Sequence, residues 1–207
     1  MSVRLWLLVL ALWGCSGTKA EDSTPLQRPT CAELEQSLPG APDVDGIAAS
    51  LAGVGSALFP TLEGVSIELD PISSTTAFFQ ANVRLDTIAE PPRERVYLVQ
   101  YSEEMFALAP PSDGVVAILA HELVHVSDYV GMDTEALGAF AIEYATGDVS
   151  AYERATDEGA LERGCAAGLI AYREWLYGVV DEETRAEKER DYYTPEEIRA
   201  WVVEHGG

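Results

Sequence analysis

Residues 117–129, AILAHELVHVSDY, hold two histidines and a glutamate at a spacing that favours chemistry on a metal ion. Residues four apart on an α-helix lie on one face, so the imidazoles of His121 and His125 would bind one Zn²⁺. Zinc lowers the pKa of a bound water towards about 7, and Glu122 would take its proton as it attacks a carbonyl. Two imidazoles do not complete a catalytic zinc site, so a third protein ligand is expected elsewhere.

The residues around this motif strengthen the metal interpretation. The flanking positions are uncharged and apolar, Leu123 and Val124 separate the ligands, and no proline interrupts the segment. The segment resembles the active helix of the zinc metallopeptidases called zincins, and departs from it at Ser127, where a hydrophobic residue is usual. The alternative is a helix with two buried histidines and no metal, which would leave buried polar groups in need of partners.

The position of the third ligand separates the zincin subfamilies. The metzincin arrangement requires a histidine at position 131, which is glycine in this chain. The gluzincin arrangement takes a glutamate from a later helix, followed four residues on by an aspartate. The segment AYERATDEGALERG, residues 151–164, offers Glu153 and Asp157 at that spacing. The resemblance implies that Glu153 is the third ligand, and that Asp157 accepts the free imidazole N–H of His121.

Other residues remain open as ligands. Glu158 lies about 140° around the helix from Glu153, so only one of the two can face the metal. Glu135 and Glu143 occur between the two segments, and His205 is the third histidine of the chain. With 35 acidic residues in the sequence, the spacing of Glu153 also arises easily by chance.

A group that stabilises negative charge in the transition state is also expected. Gluzincins use a tyrosine or a histidine, and Tyr144, Tyr152 and His205 are candidates between which the sequence does not decide. The same resemblance implies that the strand RVYLVQY, which precedes the active helix, pairs with an extended substrate.

The N-terminus predicts export and a lipid anchor. An apolar stretch, Leu5 to Trp13, is too short to span a bilayer and ends in LWGC. This resembles the lipobox of bacterial lipoproteins, which implies cleavage after residue 14 and acylation of Cys15. Ser16 at the next position implies an outer-membrane location, facing the periplasm or the surface. The alternatives are a secretory signal that releases the protein and an uncleaved anchor.

Two further cysteines remain if Cys15 carries lipid. Cys31 and Cys165 would then form an even pair in an oxidising compartment, where a disulfide is favoured. The alternative is two unpaired thiols, with Cys165 buried as a small hydrophobic residue.

The remaining pattern predicts one α+β domain. Residues 1–14 are assigned to a signal peptide, residues 15–30 to a flexible tether, and residues 31–207 to a single zincin-like domain. The segments VSIELD, FFQANVRLD and RVYLVQY predict a small, mainly antiparallel sheet packed on the active-site helix. Helices are expected in the second half of the chain, over 133–145, over about 149–177 and at the C-terminus after Thr194. DEETRAEKERDYY is expected to be a charged, solvated segment.

The net charge of the chain indicates which classes of partner it can bind. The chain carries 13 Lys and Arg against 35 Asp and Glu, for a net charge of -22, which disfavours nucleic acid and favours cations. The predicted function is zinc-dependent hydrolysis of a peptide or protein substrate by a membrane-anchored enzyme. The rival hypothesis is a non-catalytic zincin-like lipoprotein with a binding or structural role in the envelope. A zinc amidase of cell-wall peptides is a third possibility.

Overall fold

The computed structural model describes residues 28–37 and 43–206. The predicted signal peptide, the lipidation site Cys15 and the tether as far as residue 27 lie outside the described residues. Among the residues that are described, no helix combines the length and apolar character that crossing a membrane requires.

Eight α-helices and one three-stranded sheet make up the described part of the chain. The first two helices precede the sheet, and the other six follow it. In chain order the elements are α1 (Cys31–Ser37), α2 (Val44–Leu58), β1 (Ser66–Ile72), β2 (Phe79–Val83), β3 (Val96–Ser102), α3 (Ser112–Val130), α4 (Thr134–Thr146), α5 (Ser150–Leu161), α6 (Ala166–Val179), α7 (Glu182–Asp191) and α8 (Pro195–His205). The α+β class and the helical second half are therefore as predicted.

The sheet is mixed, with the strand order β1-β3-β2. β2 pairs antiparallel with β3, placing Phe79 opposite Tyr101, whereas β1 pairs parallel with β3, placing Ser66 opposite Val96. The prediction of an antiparallel arrangement is therefore wrong for β1. β3 takes the centre because it is the most apolar strand, whereas the strictly alternating β1 and β2 suit edges with one solvated face. The strand RVYLVQY is thus central, and β2 is an edge strand.

Helix α3, which carries the histidine motif, is the central element of the core. Thirteen of its residues are buried, as its nearly continuous apolar sequence predicts. It contacts α1, α2, α5, α6, β2 and β3. Close approach to α6 depends on Gly168, where an added Cβ would lie 2.4 Å from the Asp113 carbonyl oxygen and 2.7 Å from the Ala117 Cβ. These contacts hold the helix that carries the two histidines in place.

The long helix predicted over about 149–177 is two helices. α5 ends at Leu161 because Gly164 adopts a left-handed conformation, with φ of 83°, and the Cys165 N–H turns back to the Ala160 carbonyl. Gly164 therefore ends α5. Close packing of α5 against α3 depends on Gly159, since its Cβ position lies 3.0 Å from both methyl groups of Val124 on α3.

Two C-terminal segments complete the fold. DEETRAEKERDYY was expected to be a solvated segment, and most of it forms α7, which begins where the Asp181 side chain accepts the Thr184 N–H. The predicted terminal helix is present as α8. It begins with a capping box between Thr194 and Glu197, as the sequence TPEE indicates.

A disulfide joins Cys31 at the start of α1 to Cys165 just before α6. The two cysteines are 134 residues apart in sequence, so the bond ties the beginning of the domain to its helical second half. Both side chains are fully buried. The bond holds α1 against the helices that form the core.

Replacing Glu35 with glutamine should change how stability depends on pH. Burial raises the pKa of Glu35 from 4.5 to about 7, and the hydrogen bond from the Gly168 N–H only partly offsets this effect. The folded chain therefore holds an extra proton above the unfolded-state pKa, and stability falls as the pH rises from there to about 7. Because the side chain is partly exposed, we expect Glu35→Gln to stabilise the fold by about 1–2 kcal/mol at pH 8 and by less at pH 5.

Urea unfolding at the two pH values measures the effect of Glu35→Gln. Glu33→Gln is the matched control, because hydrogen bonds from Thr30 lower the pKa of Glu33, so its stabilising effect is present at neutral pH and lost on acidification. At pH 8, Glu35→Gln should therefore raise the free energy of unfolding and Glu33→Gln should lower it. Equal effects of Glu35→Gln at both pH values would contradict the prediction.

Candidate metal centre

Two helices bring three ligand atoms to one point. His121 and His125 lie one turn apart on α3, and Glu153 lies in the first turn of α5, which packs across α3. The Nε2 atoms of the two histidines are 3.2 Å apart, and the Glu153 Oε2 atom is 3.3 Å from each of them. All three side chains are buried. This cluster can bind a metal ion.

The geometry of these three atoms fits a metal ion better than hydrogen bonding. The Oε2 atom of Glu153 is buried and accepts no hydrogen bond from any described residue, although two imidazole nitrogens face it. A buried carboxylate oxygen without a partner is costly unless something else binds it. A tetrahedral zinc ion with ligands at about 2.0–2.1 Å separates them by about 3.3–3.4 Å. The three observed separations match that spacing.

Glu153 is held so that one oxygen remains available. The Tyr144 hydroxyl donates a 2.5 Å hydrogen bond to Oε1, which leaves Oε2 directed at the histidines. Burial alone would raise the pKa of this carboxyl, but the adjacent His121 and His125 outweigh burial and hold the pKa well below its ordinary value. Glu153 is therefore ionised, as a metal ligand must be.

Asp157 orients the first histidine. Its Oδ1 atom lies 2.9 Å from His121 Nδ1 and also accepts a 3.0 Å hydrogen bond from Arg173 Nη2, while Oδ2 accepts the Tyr193 N–H. Burial would raise the pKa of Asp157, but the Arg173 charge and these contacts keep it below its ordinary value. An ionised Asp157 accepts a hydrogen bond from the Nδ1–H group of His121, and this tautomer leaves Nε2 available for a metal.

The same contacts affect the protonation of His121. Burial lowers the pKa of this imidazole, but the carboxylates of Asp157 and Glu153 outweigh burial and raise the pKa to about 10. Without a metal, His121 is therefore expected to be an imidazolium cation at neutral pH, with a proton on both ring nitrogens. Metal binding must displace one of these protons, so affinity is expected to increase with pH.

Tyr152 supports the second histidine. Its hydroxyl lies 2.9 Å from His125 Nδ1, and the Thr156 hydroxyl lies 3.5 Å from the same atom. Tyr152 and Tyr144 were both candidates for transition-state stabilisation, and in this structure Tyr152 contacts His125 and Tyr144 contacts Glu153. His205 does not reach the centre, because it is exposed at the end of α8 and stacks on Trp201.

Glu122 lines the cavity beside the histidines, and its buried Oε2 atom has no hydrogen-bond partner among the described residues. Burial raises the pKa of its carboxyl, while the neighbouring His121 and His125 act in the opposite direction and Glu153 adds to the increase. A carboxyl group with a raised pKa is better suited than an exposed one to accept a proton and later release it.

The competing ligands are directed elsewhere. Glu158 is exposed and accepts a 2.7 Å hydrogen bond from the Tyr193 hydroxyl. Glu135 and Glu143 are exposed on α4. Of the alternatives left open by the sequence, Glu153 is the residue that the structure places against the histidines.

A cavity of about 380 Å³ opens onto the centre. His121, Glu122, His125 and Glu153 form part of its wall, and edge strand β2 forms another part. The remaining wall includes residues that were not singled out from the sequence: Tyr129, Phe140, Tyr172, Arg173, Lys188 and Tyr192. The sequence held no signal for Lys188 and Tyr192, because they belong to a highly charged segment that is expected to be solvated.

Replacing Asp157 with asparagine should weaken zinc binding by about 10–100-fold, because the variant no longer holds the His121 ring with a charged acceptor. Tyr152→Phe is the comparison, and it should lose less affinity because it removes a neutral contact from His125. Competition titration with a coloured chelator measures both affinities, and circular dichroism monitors folding. Equal affinities for wild type and folded Asp157→Asn would show that Asp157 does not position the ligand.

Comparisons with protein-family models, with curated proteins and with solved structures found no match to this chain.

Proposed function

We propose that this protein is a zinc-dependent peptidase of the gluzincin type. The observation that carries the proposal is the convergence of His121 Nε2, His125 Nε2 and Glu153 Oε2 within 3.3 Å of one another, at the wall of an open cavity. A site that served only structure would be expected to offer four protein ligands, whereas three ligands beside a cavity leave a position for water or substrate.

The donor set favours zinc. Two imidazole nitrogens and one carboxylate oxygen suit Zn²⁺, whereas magnesium and calcium prefer sites built from oxygen atoms alone. Neither cysteine of the described residues is part of the cluster, since Cys31 and Cys165 form the disulfide. The proposed cofactor is one zinc ion per chain.

The proposed reaction assigns separate roles to the residues of the centre. The bound metal would polarise the substrate carbonyl and acidify a water molecule. Glu122 removes a proton from the water as its oxygen attacks the carbonyl carbon, and then delivers that proton to the leaving nitrogen as the C–N bond breaks. Asp157 and Tyr152 keep the two histidines in orientation, and Tyr144 does the same for Glu153.

The wall of the cavity supports an extended peptide as the substrate. β2 is at the edge of the sheet, and its residues from Phe79 to Val83 line the cavity beside the metal centre. An edge strand offers backbone N–H and C=O groups that can pair with an extended chain. The substrate would therefore lie along β2, and the prediction that β3 has this role is replaced.

The proposed location is outside the cytoplasm, on a lipid anchor at Cys15. The disulfide between Cys31 and Cys165 supports an oxidising compartment. Palmitate labelling of the expressed chain, with Cys15→Ser as the control, tests the anchor directly.

The test of the proposed activity is cleavage of a mixed peptide library by the purified full chain. We expect products that disappear with a chelator and return when zinc is added. A zinc-loaded protein that cleaves none of the library would favour the non-catalytic binding hypothesis over the peptidase.

A further inference from the structure

One end of the cavity, beside Tyr192, carries positive charge. Lys188 from α7 and Arg173 from α6 both line the wall there, together with Tyr192. Positive charge is scarce in this protein, which has 13 Lys and Arg against 35 Asp and Glu. Lys188 is the only lysine among the described residues, since Lys19 is the other lysine of the chain.

Lys188 is weakly paired. Its Nζ atom lies 3.8 Å from an oxygen of the adjacent Glu187, whose side chain is 54% exposed. The Lys188 side chain is only 16% exposed, and its ammonium lies 5.4 Å from the centre of the Tyr192 ring. By comparison, the N···O distances in the ion pairs of Arg84, Arg154 and Arg185 are between 2.7 and 3.2 Å. The Lys188 ammonium is therefore a cation in the cavity wall without a short ion pair to a carboxylate of the described residues.

Arg173 offers a hydrogen-bond donor at the same end. Its Nη2 atom is bonded to Asp157, but its Nε atom is buried and has no hydrogen-bond partner among the described residues. The guanidinium lies over the Tyr192 ring, 4.5 Å from its centre, and 5.7 Å from the centre of Tyr172. A buried donor without a partner is unfavourable, so this arrangement favours a ligand that accepts hydrogen bonds.

Tyr192 links this end of the cavity to the metal centre. Its ring contacts the two cations, and the ring centre lies 5.8 Å from that of His121. A peptide advances about 3.3–3.6 Å per residue when extended. A substrate carbonyl at the centre would therefore place a group one to three residues away beside Lys188.

We infer that the Lys188 end of the cavity binds a carboxylate of the substrate, so that the preferred peptides carry an acidic side chain or a free C-terminus close to the scissile bond. Cleavage of such peptides rests on the proposed function, whereas their binding does not. A monoanion fits better than a more highly charged group, because Asp157 already pairs with Arg173, and Glu122 and Glu153 line the same cavity.

Binding of three labelled tetrapeptides tests the inference without requiring catalysis. The peptides are acetyl-Ala-Phe-Gln-Ala-amide, the same peptide with Glu in place of Gln, and acetyl-Ala-Phe-Gln-Ala with a free C-terminus, each with a neutral coumarin replacing the acetyl group. Fluorescence anisotropy is measured on the full chain carrying Glu122→Gln and loaded with zinc. We expect one of the two charged peptides to bind about tenfold more tightly than the neutral peptide, as a charge-assisted contact predicts. Which of the two binds tightly identifies the source of the carboxylate.

Three further variants separate Lys188 from the metal as the carboxylate-binding group. Lys188→Met keeps the length of the side chain and should reduce the tenfold preference to less than about twofold. Lys188→Arg should retain most of it, and Arg199→Met, which removes an exposed cation paired with Glu174, should retain all of it.

The outcomes distinguish this inference from the proposed function. Equal binding of all three peptides, no binding of any of them, or a preference that persists in Lys188→Met would overturn the carboxylate site. Cleavage of neutral peptides without a carboxylate preference would leave the peptidase standing and refute only the inference. A carboxylate preference that depends on Lys188, in a wild-type protein that cleaves nothing, would refute the peptidase and retain the site.

Discussion

Replacing Glu122 with glutamine should leave one zinc ion bound per chain and lower the rate of peptide hydrolysis by about 10²–10⁴-fold. Glutamine has nearly the shape of glutamate but cannot accept the proton of the attacking water. Glu122 contributes none of the three clustered ligand atoms, so the zinc affinity should change little. The measurement is initial rates on a cleaved library peptide, with zinc content determined by elemental analysis of the same sample.

Activity and zinc content together decide the role of Glu122. Loss of activity together with loss of zinc would place Glu122 among the ligands and contradict its role as the base. Unchanged activity with zinc bound would remove the proton-transfer role altogether. The stability of the variant provides a further check. Because burial raises the pKa of Glu122, removal of its charge is expected to maintain or increase stability at neutral pH.

Replacing Glu153 with alanine should weaken zinc binding by about 10²–10³-fold. Free energies of zinc binding of about 10–16 kcal/mol are shared among roughly four ligands, so one ligand accounts for about 2.5–4 kcal/mol. Alanine also leaves the Tyr144 hydroxyl without the carboxylate that it contacts. Zinc affinity is measured by competition with a chelator of known strength.

Glu158→Ala is the matched control, because Glu158 is on the same helix but bonds to Tyr193 outside the cluster. It should bind zinc as tightly as wild type. If Glu153→Ala and Glu158→Ala bind zinc equally well, Glu153 is not a ligand. If only Glu158→Ala loses zinc, the helix must lie in a different rotation from the one described.

The candidate site could be read from sequence to the extent that its residues share a helix. His121, Glu122 and His125 are fixed relative to one another by helical geometry, and Glu153 and Asp157 are likewise four apart on one helix. What brings the two helices together is Gly159 against Val124, a contact between segments far apart in sequence.

The wall of the cavity was harder to predict for a related reason. Arg173 belongs to a helix that was expected to continue from α5, and only the left-handed Gly164 redirects the chain so that Arg173 reaches Asp157. Lys188 and Tyr192 belong to a highly charged segment whose apolar contacts are few, so periodicity gave no signal for its buried side. The strand order escaped prediction because alternation identifies strands but not their partners.

The most direct test of the proposed metal centre is the zinc content and coordination of the purified full chain, measured by elemental analysis and zinc X-ray absorption. We expect one zinc ion per chain, bound by nitrogen and oxygen atoms with two imidazoles and no sulfur. A chain that binds no zinc when zinc is supplied, or that binds it through sulfur, would contradict the metal centre at His121, His125 and Glu153.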